Sequence, residues 1–138
     1  MSARRAIACA LALTGALAAC GQEEDHANRE RPAASVSVTA AIIDGRINVS
    51  PERFGAGPIR LIVTNQTDSE QAVTLATGGS EAGITETSDP ITPSGTTTLE
   101  VDVPEGEYEI TAENGQIRPA SVTVGAARPS AQDQLLQP

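Results

Sequence analysis

Between Ser35 and Gly125 the chain keeps one pattern: short runs in which apolar and polar residues alternate, separated by turn residues. A period of two sends successive side chains to opposite faces of an extended strand, so each run has one face to bury and one to hydrate. Val36, Val38, Ala40 and Ile42 alternate with Ser37, Thr39 and Ala41, and Asp44-Gly45 supplies a tight hairpin turn before Ile47 and Val49. Ile59, Leu61 and Val63 make a strand ending at Asn65, and Val73 and Leu75 mark another. Thr97, Leu99, Val101 and Val103 follow, then Tyr108, Ile110 and Ala112. After an Asn114-Gly115 turn, Ile117, Ala120, Val122 and Val124 complete the last strand. No stretch of this region carries a helical period. About seven short strands predict an all-β sandwich over residues 35–125.

Two segments read as loops. Pro51 to Pro58 is expected to be irregular, with Phe54 inside the loop or capping the core. Gly78 to Pro93 is expected to be a long loop with at most a short edge strand near Ile84. The glycine pairs in Gly55-Ala56-Gly57 and Gly78-Gly79 precede no lysine and no strand-to-helix junction, so they read as turns and not as phosphate cradles. Pro104-Glu105-Gly106 reads as a hairpin connection that pairs Val103 with Tyr108 and Val101 with Ile110, because a slip by one residue would set Val against Glu. That register puts Asp102 opposite Glu109 and gathers Glu100, Asp102, Glu107 and Glu109 on one acidic outer face. Like charges facing each other mildly destabilise a sheet. The face is expected to be a solvated surface, with partner docking or a weak cation site as the alternative.

The first twenty residues read as an export signal. Arg4 and Arg5 lie in the leading segment, Ala6 to Ala19 is a run of 14 uncharged residues, and Cys20 follows small residues. That run is shorter than the roughly 20 residues a membrane-spanning helix needs. Leu17-Ala18-Ala19-Cys20 resembles the bacterial lipobox, which implies cleavage before Cys20 and a diacylglycerol on its sulfur. The expected place of the chain is therefore the extracytoplasmic face of the cell membrane, or the outer membrane of a diderm host, attached to lipid through Cys20. Residues 1–19 would be the signal peptide and 20–34 the lipidated cysteine with a polar, flexible tether. Residues 126–138 would be a disordered tail.

Processing at Cys20 would remove Cys9 and use Cys20, leaving a domain without thiol or disulfide. It would also remove Arg4 and Arg5, leaving seven arginines against 18 acids and a formal charge of −11 in place of −9. Such an acidic chain, with no lysine and 1% aromatics, lacks the basic footprint and the stacking platforms of nucleic-acid binding. The only histidine, His26, lies in the tether beside Glu23, Glu24 and Asp25 and reads as a solvated residue. Without histidine or cysteine in the domain, neither a Ser-His-Asp nor a Cys-His constellation can be assembled, so no catalytic residue is expected.

The order of Gly45-Arg46-Ile47, Pro51, the strand to Asn65, Leu75, Pro93-Ser94-Gly95, Pro104-Glu105-Gly106-Glu107-Tyr108 and Val122-Thr123-Val124-Gly125 resembles a cupredoxin-like domain. The resemblance implies a Greek-key β-sandwich, cupredoxin-like or immunoglobulin-like, and a copper site of two His, one Cys and a weak axial Met. Its first His position falls nearest Gln71, its thiolate follows the Tyr108 strand near Thr111-Ala112, and its remaining ligands fall in Asn114 to Arg118. None of the four ligands is present there, so neither metal nor cofactor is expected. The expected function is a non-catalytic binding or accessory module for an extracytoplasmic protein partner, with weak copper, iron or calcium handling as the alternative.

Overall fold

The computed structural model describes residues 31–78 and 83–130. Eight strands follow one another: β1 Val36–Ile43, β2 Arg46–Ser50, β3 Arg53–Asn65, β4 Val73–Thr77, β5 Thr85–Thr87, β6 Thr96–Val103, β7 Gly106–Ala112 and β8 Ala120–Ala127. The first sheet has the order β2-β1-β3-β6 and the second β3-β8-β7-β4-β5, so β3 belongs to both. The pattern of alternation fixes which side chains lie between them. Val38, Ala40, Ile42, Ile47, Ile59, Leu61, Val63 and Val103 project from the first sheet onto Val73, Leu75, Tyr108, Ile110, Ala120, Val122 and Val124 of the second. The core is aliphatic apart from Tyr108, with Phe54 half-buried at its margin.

The sharing of β3 explains why the Pro51–Pro58 segment is not the expected loop. Arg53 to Gly55 pair in parallel with β8, while Gly57 to Thr64 pair with β6, and a bulge between Gly55 and Ala56 makes the change of sheet. Glycine is required on both sides of that bulge. A Cβ on Gly55 would lie 2.7 Å from the carbonyl oxygen of Ala126, and Gly57 has φ +125°, a conformation that side chains disfavour.

The hairpin at Asp44-Gly45 forms as expected, with Ile43 opposite Arg46. The one at Pro104 to Gly106 does not. β6 pairs with β3 and β7 with β4 and β8, so this connection crosses from one sheet to the other. Val101 lies opposite Ile59, not Ile110, and Asp102 lies opposite Pro58, not Glu109. The crossing is fixed by Tyr108, whose hydroxyl donates to the carbonyl oxygen of Pro104 at 2.9 Å in the manner of a tyrosine corner.

The edge strand expected near Ile84 is β5, which pairs Thr85 with Ala76 and Thr87 with Thr74. At the end of the domain, β8 runs two residues past Gly125, and the chain stays bonded to the body beyond it. Arg128 donates to the carbonyl oxygens of Gly55 (3.0 Å), Ala56 (3.2 Å), Pro58 (2.6 Å) and Ala34, and Ser130 donates to that of Arg31 (2.7 Å). The segments before β1 and after β8 are thereby laced together at one pole of the sandwich. The ends of β1 and β3 lie at the other, since those two strands run parallel.

Candidate functional site at the loop end

The pole opposite that lacing is built around two buried amides. Asn65, the last residue of β3, is fully buried and has all its polar atoms engaged. Its amide nitrogen donates to the carbonyl oxygens of Ser69 and Ile91, both at 2.8 Å. Its oxygen accepts from the backbone N–H of Thr67 at 3.0 Å and the Thr67 hydroxyl at 2.8 Å. Gln71 is also buried and exchanges two backbone hydrogen bonds with Ile91. Its side chain donates to the Ser69 hydroxyl (2.8 Å) and accepts from the backbone N–H of Asn114 (3.3 Å). A buried amide with unmet bonds would cost on the order of 1–3 kcal/mol, and these two have none. They fix three loops against one another. Beside them is an open depression of about 360 Å³ lined by Asp44, Thr67, Asp68, Ser69, Gln71 and Asn114.

The positions that the cupredoxin resemblance assigns to ligands thus converge, Gln71 against Asn114, but they carry amides. Residues 31–130 contain no His, Cys or Met. Among the described residues no group of three or more His, Cys, Asp or Glu could hold a metal ion. Carboxylate and amide oxygens are hard donors, whereas a type 1 copper site needs imidazole and thiolate. The residues present do not fit that metal centre.

The four carboxylates expected on one face are divided between two. Glu100 and Asp102 are exposed on the outer face of the first sheet, and Glu107 and Glu109 on that of the second. The inter-sheet crossing after Val103 separates them. Glu100 faces Arg60 and forms an ion pair at 3.3 Å, while Glu107 accepts a hydrogen bond from the Thr123 hydroxyl at 3.1 Å. Glu109 lies opposite Ser121 and Ala76. The like-charge pair of Asp102 with Glu109 does not exist.

Leu17, Ala18, Ala19, Cys20 and His26 lie outside the described residues. Among those described, no helix is long and apolar enough to cross a membrane. The expectations from sequence passed over Arg128, whose guanidinium serves four carbonyl oxygens, and the structural part of Asn65. A polar residue closing an alternating run, followed by Thr67 and Ser69, was the signal for the Asn65 loop.

No family model and no curated protein matches this chain. Its fold has solved counterparts. Auracyanin A, described as a blue copper protein of the green thermophilic photosynthetic bacterium Chloroflexus aurantiacus, superposes with a TM-score of 0.54 at 12% identity, over 67% of this chain and 100% of its own. Auracyanin of the photosynthetic bacterium Roseiflexus castenholzii gives 0.49 at 12% identity, over 67% of this chain and 98% of its own. A Cu(I) form of an amicyanin variant gives 0.47 at 12% identity, over 70% and 94%. At such identities the likeness is one of fold: the domain is a cupredoxin-like β-sandwich.

Proposed function

We propose that this cupredoxin-like chain is a non-catalytic accessory or binding module, tethered by lipid on Cys20 to the extracytoplasmic face of a bacterial membrane. The observation that carries the reading is Leu17-Ala18-Ala19-Cys20 at the end of an uncharged run that follows two arginines. The domain geometry supports it. The chain enters the sandwich at the laced pole, so a lipid on Cys20 would leave the Asn65–Gln71 loop end as the part farthest along the domain from its attachment. Eight residues of β1 alone separate the two poles by about 25 Å at the usual rise of a strand.

Fractionation of cells producing the Cys20→Ala chain tests the anchor. The wild type is expected with the membranes and the variant in the soluble or medium fraction. Retention of the variant in the membrane overturns the reading.

A second reading, weak handling of copper, iron or calcium, is favoured by one observation, the two carboxylates Asp44 and Asp68 beside the loop-end depression. Titration of the chain with copper and with calcium, followed by absorption and melting temperature, separates the two readings. The accessory-module reading expects no thiolate-copper band and no shift in melting temperature.

A further inference from the structure

We infer that the groove between β2 and the start of β8 is a binding site for a phosphoryl oxyanion, held by Arg46 and Arg118. These two residues form a parallel β-bridge. The backbone N–H of Ile47 donates to the carbonyl oxygen of Arg118 (2.9 Å), and that of Arg118 donates to the carbonyl oxygen of Gly45 (3.0 Å). A bridged pair sits about 4.8 Å apart at the backbone with both side chains on the same side of the ladder. Two cations are therefore fixed as neighbours, an arrangement that destabilises a sheet unless something between them carries negative charge.

Among the described residues no carboxylate is paired with either of them, although 12 carboxylates are available to six arginines. Arg60 shows the contrasting case, with Glu100 placed opposite it in the adjacent strand. Arg46 is instead steadied by the neutral side chain of Asn48, whose oxygen accepts from Nε at 3.0 Å, and its two terminal nitrogens make no hydrogen bond to the described residues. Together the arginines line an open groove of about 490 Å³, which also takes in Asn48, Ser121 and Glu52.

Guanidinium groups present forked N–H donors that match the oxygens of phosphate, and two of them side by side suit a doubly charged group. The groove has room for a phosphate borne on a larger polar molecule. Glu52, on its wall, disfavours ligands with a second anionic group there. Because the rest of the domain is acidic, attraction comes from this pair alone and is short-ranged, so added salt weakens it.

Titration of the full chain with inorganic phosphate at low ionic strength, followed by backbone amide NMR, tests the site. Saturating shifts are expected at Ile47, Asn48, Arg118 and Ser121. Changing both arginines (R46Q with R118Q) should weaken the apparent affinity by at least about tenfold, each single change less, and R60Q not at all. Both arginines are exposed, and a well-dispersed spectrum of each variant verifies that it is folded. Shifts that grow without saturating, or that survive the double change, mean an adventitious ion only and overturn the assignment. A parallel arm uses vesicles of phosphatidylglycerol and of phosphatidylcholine. Arginine-dependent binding to phosphatidylglycerol together with inorganic phosphate identifies a lipid source, and phosphate binding alone a soluble one. Binding to vesicles without any to phosphate overturns the site as an oxyanion pocket.

Discussion

The hydroxyl of Tyr108 donates to the carbonyl oxygen of Pro104, four residues back, across the crossing from the first sheet to the second. Burial raises the phenol above its ordinary value of 10.0, with a hydrogen bond to Thr77 acting in the opposite direction. A raised folded value means that the folded state holds the proton more tightly. Its contribution to stability is complete below the ordinary phenol value and is lost as pH rises from there through the folded value. Tyr108 is the only tyrosine and there is no tryptophan, so tyrosinate absorbance reports it alone. The melting temperature is expected to fall as pH rises past the ordinary phenol value, and Tyr108→Phe to reduce that fall at a cost of roughly 1 kcal/mol near neutrality. A phenol titrating at its ordinary value in an intact sheet would contradict this.

Asn65 is fully buried and its side chain carries four hydrogen bonds. Asn65→Leu keeps the approximate volume, leaves the backbone N–H of Thr67 without its acceptor and removes one hydrogen bond each from the carbonyls of Ser69 and Ile91, so denaturant melts should show a loss of about 2–4 kcal/mol. Asn65→Asp should be worse near neutrality than in mild acid, because the buried carboxyl is tolerated only with its proton. Equal losses at both pH values would show that water reaches this site.

Strand identity was legible wherever alternation was strict, as in Val36 to Ile42 or Thr97 to Val103, because burying one face of a sheet leaves that mark directly. Pairing was less legible. Chain neighbours joined by Pro104-Glu105-Gly106 look like hairpin partners, yet the same short connection can turn a corner between sheets. What decides between them is tertiary: β6 pairs with β3, and β7 with β4 and β8. The Gly55-Ala56-Gly57 stretch misled for a related reason: glycine marks a bulge inside a strand as well as a turn outside one. At the loop end, the absence of His, Cys and Met was readable residue by residue. The convergence of Gln71 and Asn114, 43 residues apart, was legible only through the resemblance that puts both at ligand positions.

Arg128 holds the end of β8, the bulge of β3 and the segment before β1 with one planar group. Arg128→Ala should lower stability by about 1.5–3 kcal/mol and speed amide exchange around Ala34 to Val36 and Ala126 to Arg128, leaving Leu61 and Ile110 slow. Arg128→Lys keeps the charge but lacks the fork, and should recover only part of the loss. Uniform exchange through the domain in the alanine variant would mean that the lacing has no local effect.

Arg60 and Leu61 are adjacent in β3 and point to opposite sides of the sheet. The Arg60–Glu100 pair is exposed, 51% and 73% for the two side chains, so Arg60→Gln should change stability by less than about 0.5 kcal/mol. Leu61 is among the largest buried side chains, and Leu61→Ala should cost about 2–5 kcal/mol by leaving a cavity. Melts of the two variants check both values.

The lacing of Arg128 to Ala34 also decides how the domain would respond to being pulled. Tension entering from the N-terminal side meets the Ser130–Arg31 bond and then the guanidinium contact at Ala34. Once that gives, the pull is directed along β1, which is bonded on one side to β2 and on the other, in parallel, to β3. Force along a strand flanked on both sides strains its ladder bonds together instead of one after another. A pull from the N-terminal side would therefore be resisted by shear of this ladder, with the contacts of Ser130 and Arg128 as the first links to yield.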